Sequence, residues 1–221
     1  MTTRTTTPRV FENRIEAGRV LASQLQRFAG RDDVIVLGLP RGGVPVAAEV
    51  ASALDAPLDV LLVRKVGTPG HPELAMGAVA SGGIFVPNDR ILRLTDVSES
   101  ELDSTVETKK RELRYRETKF RGDRAAPEVE NRTVIVVDDG VATGSTMKAA
   151  LRALRRRGPK KIIVAVPVAP KETLEQLETL ADDVICVLTP PNFAAVGQWF
   201  VDFDQTSDQT VRQLLDLAGG R

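Results

Sequence analysis

Short, largely apolar runs recur along the chain with helix-forming segments between them, and this pattern limits the possible folds more than any other feature. The runs are predicted to be strands at 34–39, 58–63, 134–137, 162–166 and 184–188. Strands without polar alternation are typical of a parallel sheet that helices cover on both faces. We therefore predict an α/β fold: a single domain, 1–221, with a twisted parallel sheet flanked by helices.

The segments between the predicted strands carry helix signals. Apolar residues at helical spacing predict helices around 11–28, 44–54, 147–154, 173–181 and 208–217. Ser98 and Glu101 have the spacing of a capping box, which predicts the start of a charged helix. This helix, about 98–122, is interpreted as an insertion with a solvated face.

Composition excludes several classes of function. Thirty basic and thirty acidic residues cancel, so no overall field favours nucleic acid as a partner. No run approaches the ~20 apolar residues that span a bilayer, and the first ten residues lack a signal-peptide core. We expect a cytoplasmic protein without a membrane or nucleic-acid partner. The single cysteine, Cys186, is expected to be buried and inert.

The segment 138–146, Asp-Asp-Gly-Val-Ala-Thr-Gly-Ser-Thr, follows the third predicted strand and carries the strongest functional signal. Its small residues and the helix behind it can direct backbone N–H groups toward a phosphate. Asp138 and Asp139 would repel a phosphate, so ribose hydroxyls or a Mg²⁺ ion, held directly or through water, are better partners for them. The pattern predicts a receptor for ribose 5-phosphate.

The stretch 134–146 resembles the donor-binding signature of type I phosphoribosyltransferases. The resemblance implies that Asp138 and Asp139 bind the ribose hydroxyls of 5-phosphoribosyl 1-pyrophosphate, with Mg²⁺ as the cofactor. It also implies a set of residues that holds the 5-phosphate: Ala142, Thr143, Gly144, Ser145 and Thr146. A strand–turn–helix without function would explain the glycines but not the acidic pair.

Two further segments fit the same family. Arg41, Gly42 and Gly43 follow the first strand, where the family places a loop that grips pyrophosphate; a surface turn is the alternative. Arg64 and Lys65 resemble the pair that opens a mobile lid, and are the candidate catalytic residues; a solvated strand end is the alternative. The lid is expected at about 64–87: a long loop over 64–77, then a hairpin over 78–87.

The acceptor side is less well defined. A small C-terminal hood is expected at about 190–203, where Trp199 and Phe200 either stack on the acceptor or belong to the core. Family members that use hypoxanthine or guanine place an acidic residue where this chain has Ala142. A 6-oxopurine acceptor is therefore disfavoured. His71 is expected to be an ordinary loop histidine.

The resemblance implies an enzyme that transfers phosphoribose from 5-phosphoribosyl 1-pyrophosphate to a nitrogen nucleophile, a base or an amine, and releases pyrophosphate. It also implies a homodimer. Two alternatives remain at this point. One is a regulator that binds the same donor or a nucleotide without catalysis, and the other is a phosphoribosyl hydrolase or phosphorylase.

Overall fold

The central sheet of the computed structural model, which describes residues 10–122 and 124–219, is parallel throughout. The eight strands are β1 Val34–Gly38, β2 Leu58–Val60, β3 Val63–Thr68, β4 His71–Ala80, β5 Ile84–Pro87, β6 Thr133–Val137, β7 Lys161–Val168 and β8 Asp183–Leu188. Five of them form this sheet, in the order β2-β1-β6-β7-β8. The predicted parallel sheet is confirmed, with β6 at its centre.

Helices cover both faces of this sheet. The helices are α1 Arg14–Gln24, α2 Gly43–Leu54, α3 Asp89–Leu92, α4 Glu99–Arg121, α5 Ser145–Arg155, α6 Lys171–Glu178 and α7 Asp208–Gly219. Alternate residues of β6 enter different cores: Ile135 packs with α1, α2, α4 and α7, whereas Val136 packs with α5 and α6. Two cores on one sheet make a single α/β domain, as predicted from the continuously apolar strands.

The charged helix α4 begins as its sequence predicts. The Ser98 side chain accepts from the Glu101 backbone N–H, and the Glu101 carboxylate accepts from the Ser98 backbone N–H, which completes a capping box. Val106, Leu113 and Phe120 bury the apolar side of the helix. The insertion is therefore fixed to the domain core along its length.

The prediction of a long loop over 64–77 is wrong. The second predicted strand ends at Val60, and β3 begins at Val63 as part of a separate antiparallel sheet, β3-β4-β5. The predicted hairpin over 78–87 is present, with β4 and β5 turning at 81–83. The glycines and prolines of 64–77 concealed the pairing because they interrupt its alternation, and the β3–β4 register shifts at Val66–Thr68. Within the described residues, no helix is long and apolar enough to cross a membrane.

Candidate functional site

Asp138 and Asp139 follow the central strand β6 and form the middle of the candidate site. Among the described residues, the Asp138 carboxylate accepts one hydrogen bond, from the backbone N–H of Asp139 (2.9 Å). Burial, and secondly the neighbouring Asp139, raise the pKa of Asp138 well above its ordinary value. Burial also raises the pKa of Asp139. A partly buried pair of acids with so few donors is a costly arrangement unless a ligand supplies the missing partners.

Arg14 is the cation closest to this pair, and sequence reasoning missed it. Its Nε donates to Asp139 Oδ2 at 2.8 Å, and both side chains are nearly buried, with 12% and 13% of their surface exposed. Its Nη1 donates to the Asp204 carbonyl (2.7 Å), and its guanidinium lies 3.9 Å from the centre of the Phe203 ring. Asn13, a typical N-cap residue, gives the only local signal: it places Arg14 at the first position of α1.

The loop after β1 packs directly against the acidic pair. A Cβ atom at Gly42 would lie 2.0 Å from Asp139 Oδ2, and one at Gly43 would lie 2.8 Å from the Asp138 Cα atom. The Pro40–Arg41 peptide bond is cis. Both glycines are therefore required by close approach, and the contact fixes Arg41 beside the acids.

The segment 142–146 leads into the N-terminus of α5 as predicted. Gly144 caps the helix in the left-handed conformation (φ 71°), and Ser145 and Thr146 are exposed in its first turn. The Ala142 carbonyl accepts from Thr173 Oγ1 (2.6 Å), which ties the loop to α6. The loop thus presents hydroxyl groups and the positive end of a helix to solvent, which suits a phosphate.

Lys65 lies on the side of β3 that faces this phosphate loop. It lines a cavity of about 260 Å³ together with Ser145, Thr146, Lys148 and Arg152. Lys148 is held in place by the Thr143 carbonyl (3.0 Å). Three cations therefore line this cavity, and Lys65 is the one contributed by the antiparallel sheet.

Arg64 faces the other side of β3, because neighbouring residues of a strand point in opposite directions. Burial lowers the pKa of Arg64, and Arg116 acts in the same direction. The Asp208 carboxylate opposes this change and raises the pKa of Arg64. The Arg41 guanidinium lies 3.6 Å from the same carboxylate. Lys119 binds Asp208 at 2.7 Å. We refer to the four cations that gather around Asp208 as the Asp208 cluster: Arg41, Arg64, Arg116 and Lys119.

The expectation of an aromatic platform at Trp199 and Phe200 is wrong. Both side chains are buried, and they pack with Phe11 and Ala17 of the N-terminal segment. Phe11 and Phe200 also form an isolated parallel bridge. The aromatic residues of this region that remain partly exposed are Phe193 and Phe203, and Arg14 already covers Phe203. The stretch closes the domain instead of offering a surface for stacking.

The donor set fits a partly coordinated divalent cation and does not form a complete metal cage. No group of three or more His, Cys, Asp or Glu side chains converges within the described part of the chain. Mg²⁺ is commonly held by one or two carboxylates, with water and substrate phosphates completing its shell. Asp138 and Asp139 would suffice for that purpose, and within the described residues the partly buried Asp138 carboxylate forms no ion pair.

Comparison with known proteins agrees with this geometry. The family model described as phosphoribosyl transferase domain matches residues 10–203. Two proteins of Mycobacterium tuberculosis (strains CDC 1551 / Oshkosh and H37Rv), each named "Putative phosphoribosyl transferase", are 45% identical over 210 residues. This alignment covers 95% of the present chain and 47% of theirs, so the chain spans about half the length of these relatives.

A solved structure shows the same fold. The crystal structure of TT1426 from Thermus thermophilus superposes with a TM-score of 0.82 at 44% identity, covering 93% of this chain and 97% of TT1426. The family match extends over most of the domain, including both glycine-containing loops and the acidic pair. The chain therefore belongs to the type I phosphoribosyltransferases, the family that its 134–146 segment resembles.

Proposed function

We propose that this domain transfers phosphoribose from 5-phosphoribosyl 1-pyrophosphate to a nitrogen nucleophile. The bond between C1 and the pyrophosphate oxygen breaks, and the electron pair leaves with pyrophosphate. A bond from C1 to nitrogen forms, and the nucleophile loses a proton to solvent. The acceptor is proposed as a class, a base or an amine.

The observation that carries the proposal is an acidic centre between two cationic sides. The donor has the same order of groups: pyrophosphate, then ribose hydroxyls, then 5-phosphate. Gly42 joins Arg41 of the Asp208 cluster to Asp139, and the chain runs from Asp139 into the phosphate loop within a few residues. One extended anion can therefore meet all three groups.

Each part of the site has a role that follows from its charge. Asp138 and Asp139 accept hydrogen bonds from the ribose hydroxyls, which supply the donors that these buried acids lack. The hydroxyls and backbone of 143–146 hold the 5-phosphate, with Lys65 nearby. Arg41 and Arg64 stabilise negative charge that develops on the leaving pyrophosphate. Bound Mg²⁺ would neutralise and orient the pyrophosphate.

When the donor binds, Arg14 either releases its hydrogen bond to Asp139 or keeps it while the ribose hydroxyls bind the same carboxylate. It occupies Asp139 Oδ2 in this structure, so ribose hydroxyls would approach the other carboxylate oxygens. Its planar guanidinium remains stacked on Phe203 and linked to the Asp204 carbonyl. Arg14 thereby connects the acidic pair to the 190–203 segment and the chain that follows it.

One observation favours the regulatory alternative. Arg64 and Lys65, the candidate catalytic residues, diverge to opposite sides of β3 and so do not face one leaving group together. A regulator would use the acidic pair and the phosphate loop without needing both cations on the leaving group. The same donor would bind in either case.

The deciding experiment measures donor binding and turnover separately. We expect 5-phosphoribosyl 1-pyrophosphate with Mg²⁺ to raise Tm, by an amount that corresponds to about 2.7 kcal/mol at a hundredfold excess over Kd. Pyrophosphate release is then measured across a panel of bases and amines. A folded sample without a Tm shift at millimolar donor would contradict the proposal, and a shift without release for any acceptor would favour the regulator.

A further inference from the structure

A second concave surface lies beside the phosphate loop, and the proposed reaction does not use it. We refer to it as the arginine groove. It has a volume of about 860 Å³ and is bounded by the β5–α3 junction, the C-terminal half of α5 and the turn between α6 and β8. Four arginines line it: Arg90, Arg152, Arg155 and Arg156. The acidic residues in its lining are Asp89 and Asp182.

Two of the four guanidinium groups are held in place by the chain. Arg155 Nη2 donates to Asp182 Oδ2 (3.0 Å) and to the Leu180 carbonyl (3.2 Å). Arg156 Nη1 donates to the Phe85 carbonyl (2.7 Å), a neutral partner that leaves its positive charge uncompensated. The same oxygen, Asp182 Oδ2, also accepts from the Ile162 backbone N–H (2.7 Å).

The other two guanidinium groups have no partner among the described residues. Arg90 and Arg152 make neither a hydrogen bond nor an ion pair within 10–122 and 124–219, and both are exposed. The groove therefore combines one neutralised arginine with three uncompensated ones. Arginines in this state favour a ligand with more than one phosphate, because each guanidinium can bind phosphate oxygens in a bidentate manner.

The floor of the groove indicates what accompanies the phosphates. Val86 and Leu151 are buried there, and Leu180 and Ala181 are partly buried beside them. An apolar floor next to guanidinium groups suits a flat base with a phosphate chain. The volume lies within the range of about 300–1,000 Å³ that is usual for small-molecule sites, which favours a small ligand over a nucleic-acid strand.

We infer that the arginine groove binds a nucleoside polyphosphate at a site separate from the donor site. The inference does not depend on the proposed transferase reaction, since Arg90, Arg155 and Arg156 lie outside the acidic pair and the phosphate loop. Arg152 lines both the groove and the cavity beside the phosphate loop, so the two sites are neighbours.

The test uses isothermal titration calorimetry with ATP as the probe. Adenosine and tripolyphosphate, the two halves of ATP, are titrated separately for comparison. We expect the wild-type protein to bind ATP more tightly than either half, and Arg90→Ala to weaken ATP by about tenfold or more, the usual cost of losing a hydrogen bond to a charged group. Arg93→Ala is the matched control: Arg93 is exposed at the end of the same short helix and does not line the groove. It should bind ATP like the wild type.

A second ligand separates this inference from the proposed function. Arg90→Ala should bind ribose 5-phosphate normally, and Asp139→Asn should bind ATP normally. Wild-type affinity for ATP in Arg90→Ala, no binding of ATP at millimolar concentration, or loss of ATP binding in Asp139→Asn would overturn the inference. Tighter binding of a single-stranded oligonucleotide than of ATP would also overturn it. Failure of ribose 5-phosphate to bind would count against the proposed function alone.

Discussion

Asp59 on β2 is a buried carboxylate and Asp138, directly after β6, is a partly buried one, but the chain provides them with different partners. The Asp59 carboxylate, within β2, accepts hydrogen bonds from Arg121 Nε, which lies 2.9 Å from each of its oxygens. It also accepts one from the Val60 backbone N–H at 2.6 Å. Asp138 receives one backbone N–H and has a second acid beside it. Burial raises the pKa of both; Arg121 opposes the rise at Asp59, whereas Asp139 reinforces it at Asp138.

The difference separates a structural charge from a charge that awaits a ligand. The Asp59–Arg121 pair fixes the end of α4 to β2, and Arg121 also donates to the Val60 carbonyl (3.0 Å). Asp59 therefore finds its hydrogen-bond donors within the fold. Asp138 lies at the carboxyl end of a central strand, where open α/β sheets bind ligands, and its missing donors are those that a ribose would bring.

The largest effect is expected from breaking the structural pair. Arg121→Met leaves the buried Asp59 carboxylate without its cation, which typically costs about 3–5 kcal/mol of folding free energy. Chemical denaturation measures the loss. The double variant Asp59→Leu/Arg121→Met should recover part of it, because both charges of the Asp59–Arg121 pair are then absent while Glu117 still lacks its cation. A single variant as stable as the wild type would show that Asp59 is not a structural charge.

For Asp138 and Asp139 we expect the opposite: substitution should weaken donor binding and should not cost folding free energy as Arg121→Met does. Asp138→Asn and Asp139→Asn should each weaken 5-phosphoribosyl 1-pyrophosphate by about 1.5–3 kcal/mol, the usual value of a hydrogen bond to a charged group. Sulfate binding, which depends on the phosphate loop, should persist. Titration calorimetry with both ligands measures this, and wild-type donor affinity in both variants would refute the ribose assignment.

The raised pKa of Asp138 gives a pH test of the same contrast. An acid whose pKa is higher in the folded state binds more protons folded than unfolded, so stability falls as pH rises from its ordinary value toward the raised one. Asp138→Asn removes that loss. We expect a higher Tm than wild type at pH 7 and a difference that shrinks toward pH 4 in thermal melts. A lower Tm at pH 7 would mean that Asp138 already has adequate partners.

A smaller effect should distinguish the two sides of β3. Lys65→Ala should weaken ribose 5-phosphate by about tenfold and leave pyrophosphate unaffected, because Lys65 lines the cavity at the start of α5. Arg64→Ala should do the reverse, because Arg64 belongs to the Asp208 cluster. The two variants are each other's control. Equal losses for both ligands would show that the adjacent cations act together after all.

Much of the fold and part of the site could be predicted because the signals are local. The central strands are continuous apolar runs, and the acidic pair, Gly144 and the phosphate loop lie within nine consecutive residues. Arg14 could not be found in this way, because it reaches Asp139 across 125 positions of sequence. Residues 64–77 were misassigned because their glycines and prolines resemble a loop, which also concealed that Arg64 and Lys65 alternate across a strand.

The hood shows the same limit. Trp199 and Phe200 have a composition that suits stacking on a base as well as a core, and only the contact with Phe11 decides between the two. That contact joins the N-terminal segment to the C-terminal one and leaves no trace in local sequence. The prediction failed because burial is a property of the tertiary fold.

The smallest expected effect concerns the acceptor, and it depends on the absence of an acid at Ala142. Ala142 is exposed beside the phosphate loop, and its carbonyl is already engaged by Thr173. Its methyl side chain can offer no charged contact to the N7 edge of an oxopurine. We therefore expect hypoxanthine and guanine to be poor acceptors beside adenine, orotate, uracil and simple amines in steady-state pyrophosphate release.

The converse variant sharpens this expectation. Ala142→Asp places a carboxylate where oxopurine-specific relatives carry one, and should improve the kcat/KM ratio of guanine to adenine by about fivefold, or roughly 1 kcal/mol. Ala142→Asn, of the same size without the charge, is the control and should give a smaller gain. Efficient use of guanine by the wild type would contradict the argument from Ala142. Another group would then supply the contact, and Arg14 is one candidate, because its guanidinium lies against Asp139 and Phe203 with donors to spare.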